Sequence, residues 1–280
     1  MHLVLLIVTL SVALSVRLTW NPTADGWSQR WNRTLGAFLF SPLLVGVSAI
    51  AILWMGPKGQ MVRWWEGWGS YGVAIGFLGL GLVLAIQLGS DALRSTRRVQ
   101  QLPRQDIGGT AARLLDQSAP FVAQIGFWNP ELVISQGLLE TLEPHHLEVV
   151  LRHEEAHAYY RDTFWFFWLG WLRRLTAWLP QTNALWQELL MLRELRADRW
   201  AAQQGDPLLL AEALLSVVSA SQMESDQLCA AFSSAVVKNR LAERIDALLD
   251  PLEPLPETNP RAWLWLLLVV LPLAVVPFHV

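Results

Sequence analysis

The chain has 280 residues, 53% of them hydrophobic and only 16% charged, well under the quarter or so of charged residues that covers a soluble domain. Lys and Arg total 21 against 24 Asp and Glu, a net charge of −3. That balance excludes a basic nucleic-acid binder, so no direct nucleic-acid partner is expected, and it excludes an acidic disordered tail. One cysteine, Cys229, excludes an intrachain disulfide framework and a four-thiolate metal cage. The excess of apolar residues points to an integral membrane protein with the lipid bilayer as a partner.

Residues 2–19 open the chain with an apolar run that stops at Arg17. Ala13-Leu14-Ser15 faintly resembles a signal-peptidase site, but no Lys or Arg precedes the run as a secretory signal requires. A retained helix is the reading taken. A span needs about 20 apolar residues, and residues 35–55 and 71–89 meet that length. The first carries Pro42, which neighbouring helices can accommodate; the second carries Gly72 and Gly76 at a spacing that permits close helix packing. Residues 262–280 form a fourth apolar segment. The expected organisation is three N-terminal spans within 1–90, a domain over 91–261 and a C-terminal span over 262–280.

Orientation follows the Lys and Arg of short loops. Arg17, Arg30 and Arg33 fall between the first two spans, and Arg94, Arg97, Arg98 and Arg104 follow the third. Lys58 and Arg63 alone lie between the second and third. The N-terminus is therefore expected outside and the 91–261 domain in the cytoplasm, as in a bacterial inner (plasma) membrane protein. Nine of the 16 tryptophans (Trp20, Trp27, Trp31, Trp54, Trp64, Trp65, Trp68, Trp263 and Trp265) sit at or beside proposed span ends, where aromatic belts form.

Within the domain, His153-Glu154-Glu155-Ala156-His157 reads H-E-x-x-H, after the helix-start signal Leu142-Glu143-Pro144. Histidines four apart lie within about 40° of each other on a helix, so both rings can reach one ion. Glu154 between them is placed to hold and deprotonate a water there. The bland alternative is two solvated histidines on an amphipathic helix, so the reading needs a third ligand. Glu194, in Leu192-Arg193-Glu194-Leu195-Arg196-Ala197-Asp198, can supply it, completing the three protein ligands of a catalytic zinc. Asp198, one turn on, can accept the outer N–H of a ligand histidine. Alternatively both carboxylates pair locally with Arg193, Arg196 and Arg199.

The set His153-Glu154-x-x-His157, Arg161-Asp162 and Glu194-Leu195-Arg196-Ala197-Asp198 resembles the BlaR/MecR-type membrane zinc metallopeptidases. These are gluzincins related to the HtpX and CAAX-prenyl membrane proteases. Residues 120–135 also resemble that family's small β-hairpin, whose edge strand can pair with an extended substrate; two β-prone runs flank Trp128-Asn129-Pro130. The resemblance covers about residues 35–250 and implies a mainly α membrane protein with a gluzincin-like domain, α plus a small β-hairpin or sheet, inserted between helices three and four. It implies one catalytic Zn2+ held by His153, His157 and Glu194, with Glu154 as general base. The implied activity is endopeptidase cleavage of a protein or peptide, in relatives a cytoplasmic transcriptional repressor, in signal-triggered proteolysis. An HtpX-like quality-control protease and a non-catalytic zinc-binding transducer or scaffold are the alternatives; an intact Glu154 argues against the last. The chain stops at Val280 without the penicillin-binding sensor of the best-known members, so β-lactam sensing is not implied, and Glu155 adds a charge where relatives often have a small or apolar residue.

An oxyanion donor is also required. His145, His146, Tyr159, Tyr160 and the Arg240/Arg244 pair are candidates, with Arg240, His146 and Tyr160 foremost; all are equally plain surface or packing residues. Residues 163–179, with Trp165, Trp168, Trp171, Trp178, Arg173 and Arg174, read as an interfacial aromatic helix, or else as a helix buried against the spans. The oligomeric state stays open, a homo-oligomer included.

Overall fold

The computed structural model describes residues 2–22, 26–57, 64–225, 232–250 and 260–278. Lys58 and Arg63, used in the orientation argument, and Cys229 lie outside the described residues. The chain is mostly helical, with one four-stranded sheet, and divides into two units.

The first unit comprises Met1–Leu88, Trp168–Leu192 and Pro256–Val280. It opens with α1 (His2–Leu18) and α2 (Trp27–Met55), followed by the start of α3 (Trp64–Gln100). Among the described residues, two helices are long and apolar enough to cross a membrane, Trp27–Met55 and Gly67–Gln100. In the second of these only 11% of the most apolar window is buried. Val73, Ile75, Leu80, Leu82, Val83 and Ile86 are all exposed. A water-soluble fold hides such a surface, whereas a bilayer covers it. α1 and the apolar part of the C-terminal 3₁₀ helix, Leu264–Pro277, are shorter. That last helix runs Pro260–Phe278 and contains Pro272 and Pro277, each of which removes a backbone donor.

Both long helices extend past the expected spans. α2 starts at Trp27 instead of residue 35, because its charged first turns are satisfied. Arg30 donates to Glu188 Oε1 at 2.7 and 2.9 Å, and the Trp27 indole donates to Leu192 O at 2.9 Å. α1 is fastened to α2 by polar groups set among apolar ones. Thr9 and Ser48 hydroxyls meet at 2.8 Å and Ser41 Oγ donates to Ala13 O at 3.0 Å. Arg17, fully buried, donates to Phe38 O at 3.1 Å while its guanidinium lies 5.4 Å from the Phe38 ring centre.

The second unit comprises Gly89–Phe167 and Arg193–Leu255. Its sheet runs β1 (Arg104–Ile107), β2 (Thr110–Leu115), β3 (Val122–Ile125) and β4 (Glu131–Ser135) in the spatial order β1-β2-β4-β3. The expected hairpin is the antiparallel β3–β4 pair. The β1–β2 hairpin beside it was not expected. It turns on Gly108 and Gly109, at φ 62° and 82°, the positive values that a two-residue hairpin turn demands. β4 pairs with β2 in parallel, so Leu132, Val133 and Ile134 are buried on both faces.

Around the sheet lie α4 (Gln136–Thr141), α5 (Pro144–Tyr159), the start of α6 (Asp162–Leu175), the end of α7 (Thr182–Ala202), α8 (Pro207–Ser225) and α9 (Phe232–Leu249). One core joins Ile134, Leu138, Val150, Ala201, Leu210 and Leu248. Pro144 enters α5 at its first turn, where a missing N–H costs nothing, as its sequence signal predicts. The aromatic helix ends at Leu175, short of residue 179. Within the first unit Trp171 donates to Gly81 O at 2.8 Å, whereas Trp168 and Trp178 stay exposed. One side of this helix is thus packed through Trp171 while Trp168 is exposed, and Trp178 lies beyond its end.

Candidate metal centre

His153 and His157 project from one face of α5, as four-residue spacing dictates. α5 ends at Tyr160, and Arg161 takes φ 53°, a left-handed turn that starts α6 at Asp162. That reversal returns the Asp162 carboxylate to the His157 ring, with Oδ2 2.7 Å from Nδ1. α7 supplies Glu194 and Asp198 one turn apart. Asp198 Oδ1 lies 2.9 Å from His153 Nδ1, an ion-pair distance approached off the hydrogen-bonding axis.

Each imidazole thus has a carboxylate near Nδ1, hydrogen-bonded at His157 and at ion-pair distance at His153, which favours turning Nε2 inward. The two Nε2 atoms face each other at 3.1 Å. Glu194 reaches both, with Oε2 3.5 Å from His153 Nε2 and Oε1 3.8 Å from His157 Nε2. Tetrahedral zinc with bonds of about 2.0–2.2 Å sets its ligand atoms roughly 3.3–3.6 Å apart. These three side chains could hold a metal ion and fit that spacing to within a few tenths of an ångström. Two facing lone pairs at such a distance repel unless a cation or proton stands between them.

The surrounding ring alternates sign. Arg244, from α9, grips Asp198 with two bonds of 2.7 Å and lies 3.6 Å from Glu194. Arg193 donates to Glu194 Oε1 at 2.6 and 2.9 Å. Arg196 donates to Asp162 and sets its guanidinium 4.0 Å from the Tyr160 ring centre. Taken alone, these side chains hold strong charges. Burial by itself lowers the His153 pKa, but the Asp198 bond and charge, then Glu194, outweigh it and bring it to about 9. Burial raises Glu194 while His153, Arg193 and Arg244 pull it well below its usual range. Asp198 is likewise pushed up by burial and held below normal by Arg244 and His153. Burial lowers the Arg244 pKa, and Asp198 and Glu194 reverse that into a net rise. Burial raises the Tyr160 phenol, keeping it a proton donor.

Glu154 is buried beside the two histidines, and its backbone carbonyl accepts from Gln124 of β3 at 3.3 Å. β3 is an edge of the sheet, so the strand expected to pair with a peptide adjoins the turn of α5 that carries Glu154. A groove of about 800 Å³ lies instead along the other face of α5, lined by Arg104, Arg113, Glu131, Glu148 and Glu155 among others. The histidines do not line it.

Of the expected oxyanion donors, Tyr160 belongs to the network through Arg196. His146 does not, being two turns and roughly 10 Å along α5 from His153, with Glu212 at 3.2 Å. His145 sits beside Glu143, and Tyr159 is exposed. Arg244 is seated on Asp198 and Glu194; Arg240 lies one turn earlier on α9, half-buried. The roles of Asp162, Arg196 and Arg244 are not evident from the sequence spacing alone. No family model matches the chain, nor does any curated protein or solved structure.

Proposed function

We propose that the chain is a membrane-embedded, zinc-dependent endopeptidase of the BlaR/MecR type. The observation that carries this reading is the convergence of His153, His157 and Glu194 within reach of one ion, with Glu154 buried alongside. His153, His157 and Glu194 would hold one Zn2+. When bound, the ion would lower the pKa of water towards about 7 and polarise a carbonyl. Glu154 takes the proton of the attacking water and returns it to the leaving amine. Asp198 and Asp162 fix the rings of His153 and His157, and Arg244 and Arg196 pair with those carboxylates. Tyr160 is the candidate donor to the developing oxyanion. An extended substrate adds as a strand to the edge β3, where main-chain pairing gives affinity without dictating sequence.

Four spans, with the N-terminus outside and the peptidase domain in the cytoplasm, complete the reading. The substrate class by resemblance is a cytoplasmic transcriptional repressor, cleaved in response to a signal at the membrane. The test uses the full chain purified in detergent as wild type and Glu154→Ala, with bound zinc measured and self-cleavage and casein cleavage followed. Cleavage by the wild type alone, with tightly held zinc in both proteins, supports the proposal. Absence of zinc from both overturns the metal assignment, and equal cleavage by both overturns the role of Glu154.

A further inference from the structure

A second cluster with metal-ligating chemistry lies at the other end of α5. Glu143, His145 and His146 each offer a ligand atom, all within 4.8 Å of one another. The two imidazoles stand with ring centres 4.2 Å apart. His145 Nε2 is 3.4 Å from Glu143 Oε2, and His146 Nε2 is 3.2 Å from Glu212 Oε2 on α8. Glu143 occupies the N-cap position of α5 but its side chain makes no cap bond there. The carboxylate turns to the histidine instead, giving up the usual stabilising role of a cap residue. Glu143, His145 and His146 present two nitrogens and one oxygen to one small volume, and Glu212 pairs with His146 from outside it.

We propose that Glu143, His145 and His146 form a second divalent-cation site, separate from the one at His153 and His157, with Glu212 of α8 holding the His146 ring from outside it. Two imidazoles and one carboxylate suit zinc and other imidazole-seeking transition ions, and discriminate against Mg2+ and Ca2+, which take all-oxygen shells. The side chains of Glu143, His145 and Glu212 are 72, 49 and 63% exposed, so the ion exchanges with solvent and binds more weakly than at the buried centre. Its occupancy ties the start of the helix bearing His153 to α8, so ion loading stiffens that helix.

Zn2+ alone is the probe, titrated by equilibrium dialysis into the full chain in detergent near neutral pH. Wild type takes up two ions, the second more weakly, and His145→Ala/His146→Ala takes up one. Glu212→Gln keeps two, with the weaker affinity reduced tenfold or more. In a His153→Ala/His157→Ala background one ion still binds and raises the thermal midpoint, and adding His145→Ala/His146→Ala abolishes both effects. A single ion per wild-type chain at saturation overturns the proposal, as does an isotherm unchanged by His145→Ala/His146→Ala. These positions are exposed or at a helix end, so the paired variants fold, and the count does not depend on whether the chain cleaves peptides.

Discussion

Asp198→Asn separates the two jobs that Asp198 performs. The carboxylate is almost fully buried, 2% exposed, between His153 Nδ1 at 2.9 Å and the Arg244 guanidinium at 2.7 Å. Asn keeps the shape and one acceptor but loses the charge that orients His153 and balances Arg244. Removing a partner that orients a ligand histidine costs about 10- to 100-fold in metal affinity, or about 1.4–2.7 kcal/mol. Breaking a buried ion pair costs about 3–5 kcal/mol. Glu194, 3.6 Å from Arg244, supplies partial compensation, and Asn still accepts one bond, so the stability loss falls at or below the lower end. Zinc affinity is measured by competition with a chromophoric chelator, and stability by thermal unfolding of metal-free protein. Both decline in the variant. A folded Asp198→Asn whose zinc affinity stays within twofold of wild type refutes the positioning of His153 by Asp198, whatever happens to its stability.

Asp162→Asn weakens zinc binding by a similar 10- to 100-fold factor, because Asp162 holds His157 as Asp198 holds His153; unchanged affinity by the same competition assay counts against it. Ile134→Ala, at a fully buried position of β4, destabilises the second unit by about 2–5 kcal/mol, read as a lowered denaturant midpoint. Arg113 and Glu131 pair across β2 and β4 at 2.5 Å. The Arg113 bond holds the Glu131 carboxyl below its usual 4.5. The pair's contribution is thus complete above pH 4.5 and is lost as pH falls through the lower folded value. The thermal midpoints of wild type and Glu131→Gln should differ near neutral pH and converge in acid; a gap that persists in acid contradicts the ion-pair account. A reporter fused after Val280 should read outside the cell, and a cytoplasmic reading overturns the four-span arrangement.

How much of this was legible in the sequence depends on how far apart the cooperating residues lie and whether a regular period connects them. His153, His157, Glu194 and Asp198 are paired within helices at four-residue spacing, so one rule places each pair on a face. Asp162 lies five residues after His157, across the left-handed turn at Arg161, and no period survives such a break. Arg244 meets Asp198 from 46 residues away, a contact that only the packing of α9 makes. The sheet shows the same limit. β3–β4 announces itself through β-branched runs about a Trp-Asn-Pro turn, whereas β1 and β2, Arg-Gln-Asp-Ile and Thr-Ala-Ala-Arg-Leu-Leu, carry little β-propensity; β4 offers β2 a partner and β2 in turn pairs with β1. Helix ends fail for a related reason. Apolar runs mark where lipid can cover a helix, but α2 continues beyond its run where Glu188 satisfies the charge of Arg30.

The arginines that ring the centre explain why so many charges can be buried beside three ligands. A metal site built only from His153, His157, Glu194 and their supporting carboxylates would carry surplus negative charge in a dry environment, which burial opposes by pushing carboxylate pKa values up. Arg193, Arg196 and Arg244 each take one of those carboxylates, so Glu194 and Asp198 stay ionised and ready. The cost is competition: Arg193 occupies Glu194 Oε1 at 2.6 Å, leaving Oε2, the atom nearer His153, as the one oriented toward an ion. An ion held there would be met by Glu194 through Oε2, and a single oxygen from Glu194 would leave the open position that a hydrolytic zinc site needs. Arg193→Ala should therefore release Oε1. Zinc binds that variant at least as tightly as wild type, because the ligand has lost a rival, while its cleavage rate falls as the second oxygen enters the open position. Parallel chelator-competition and casein-cleavage assays read the two effects. Loss of zinc affinity in Arg193→Ala would show that Arg193 positions Glu194 for the ion instead of competing with it.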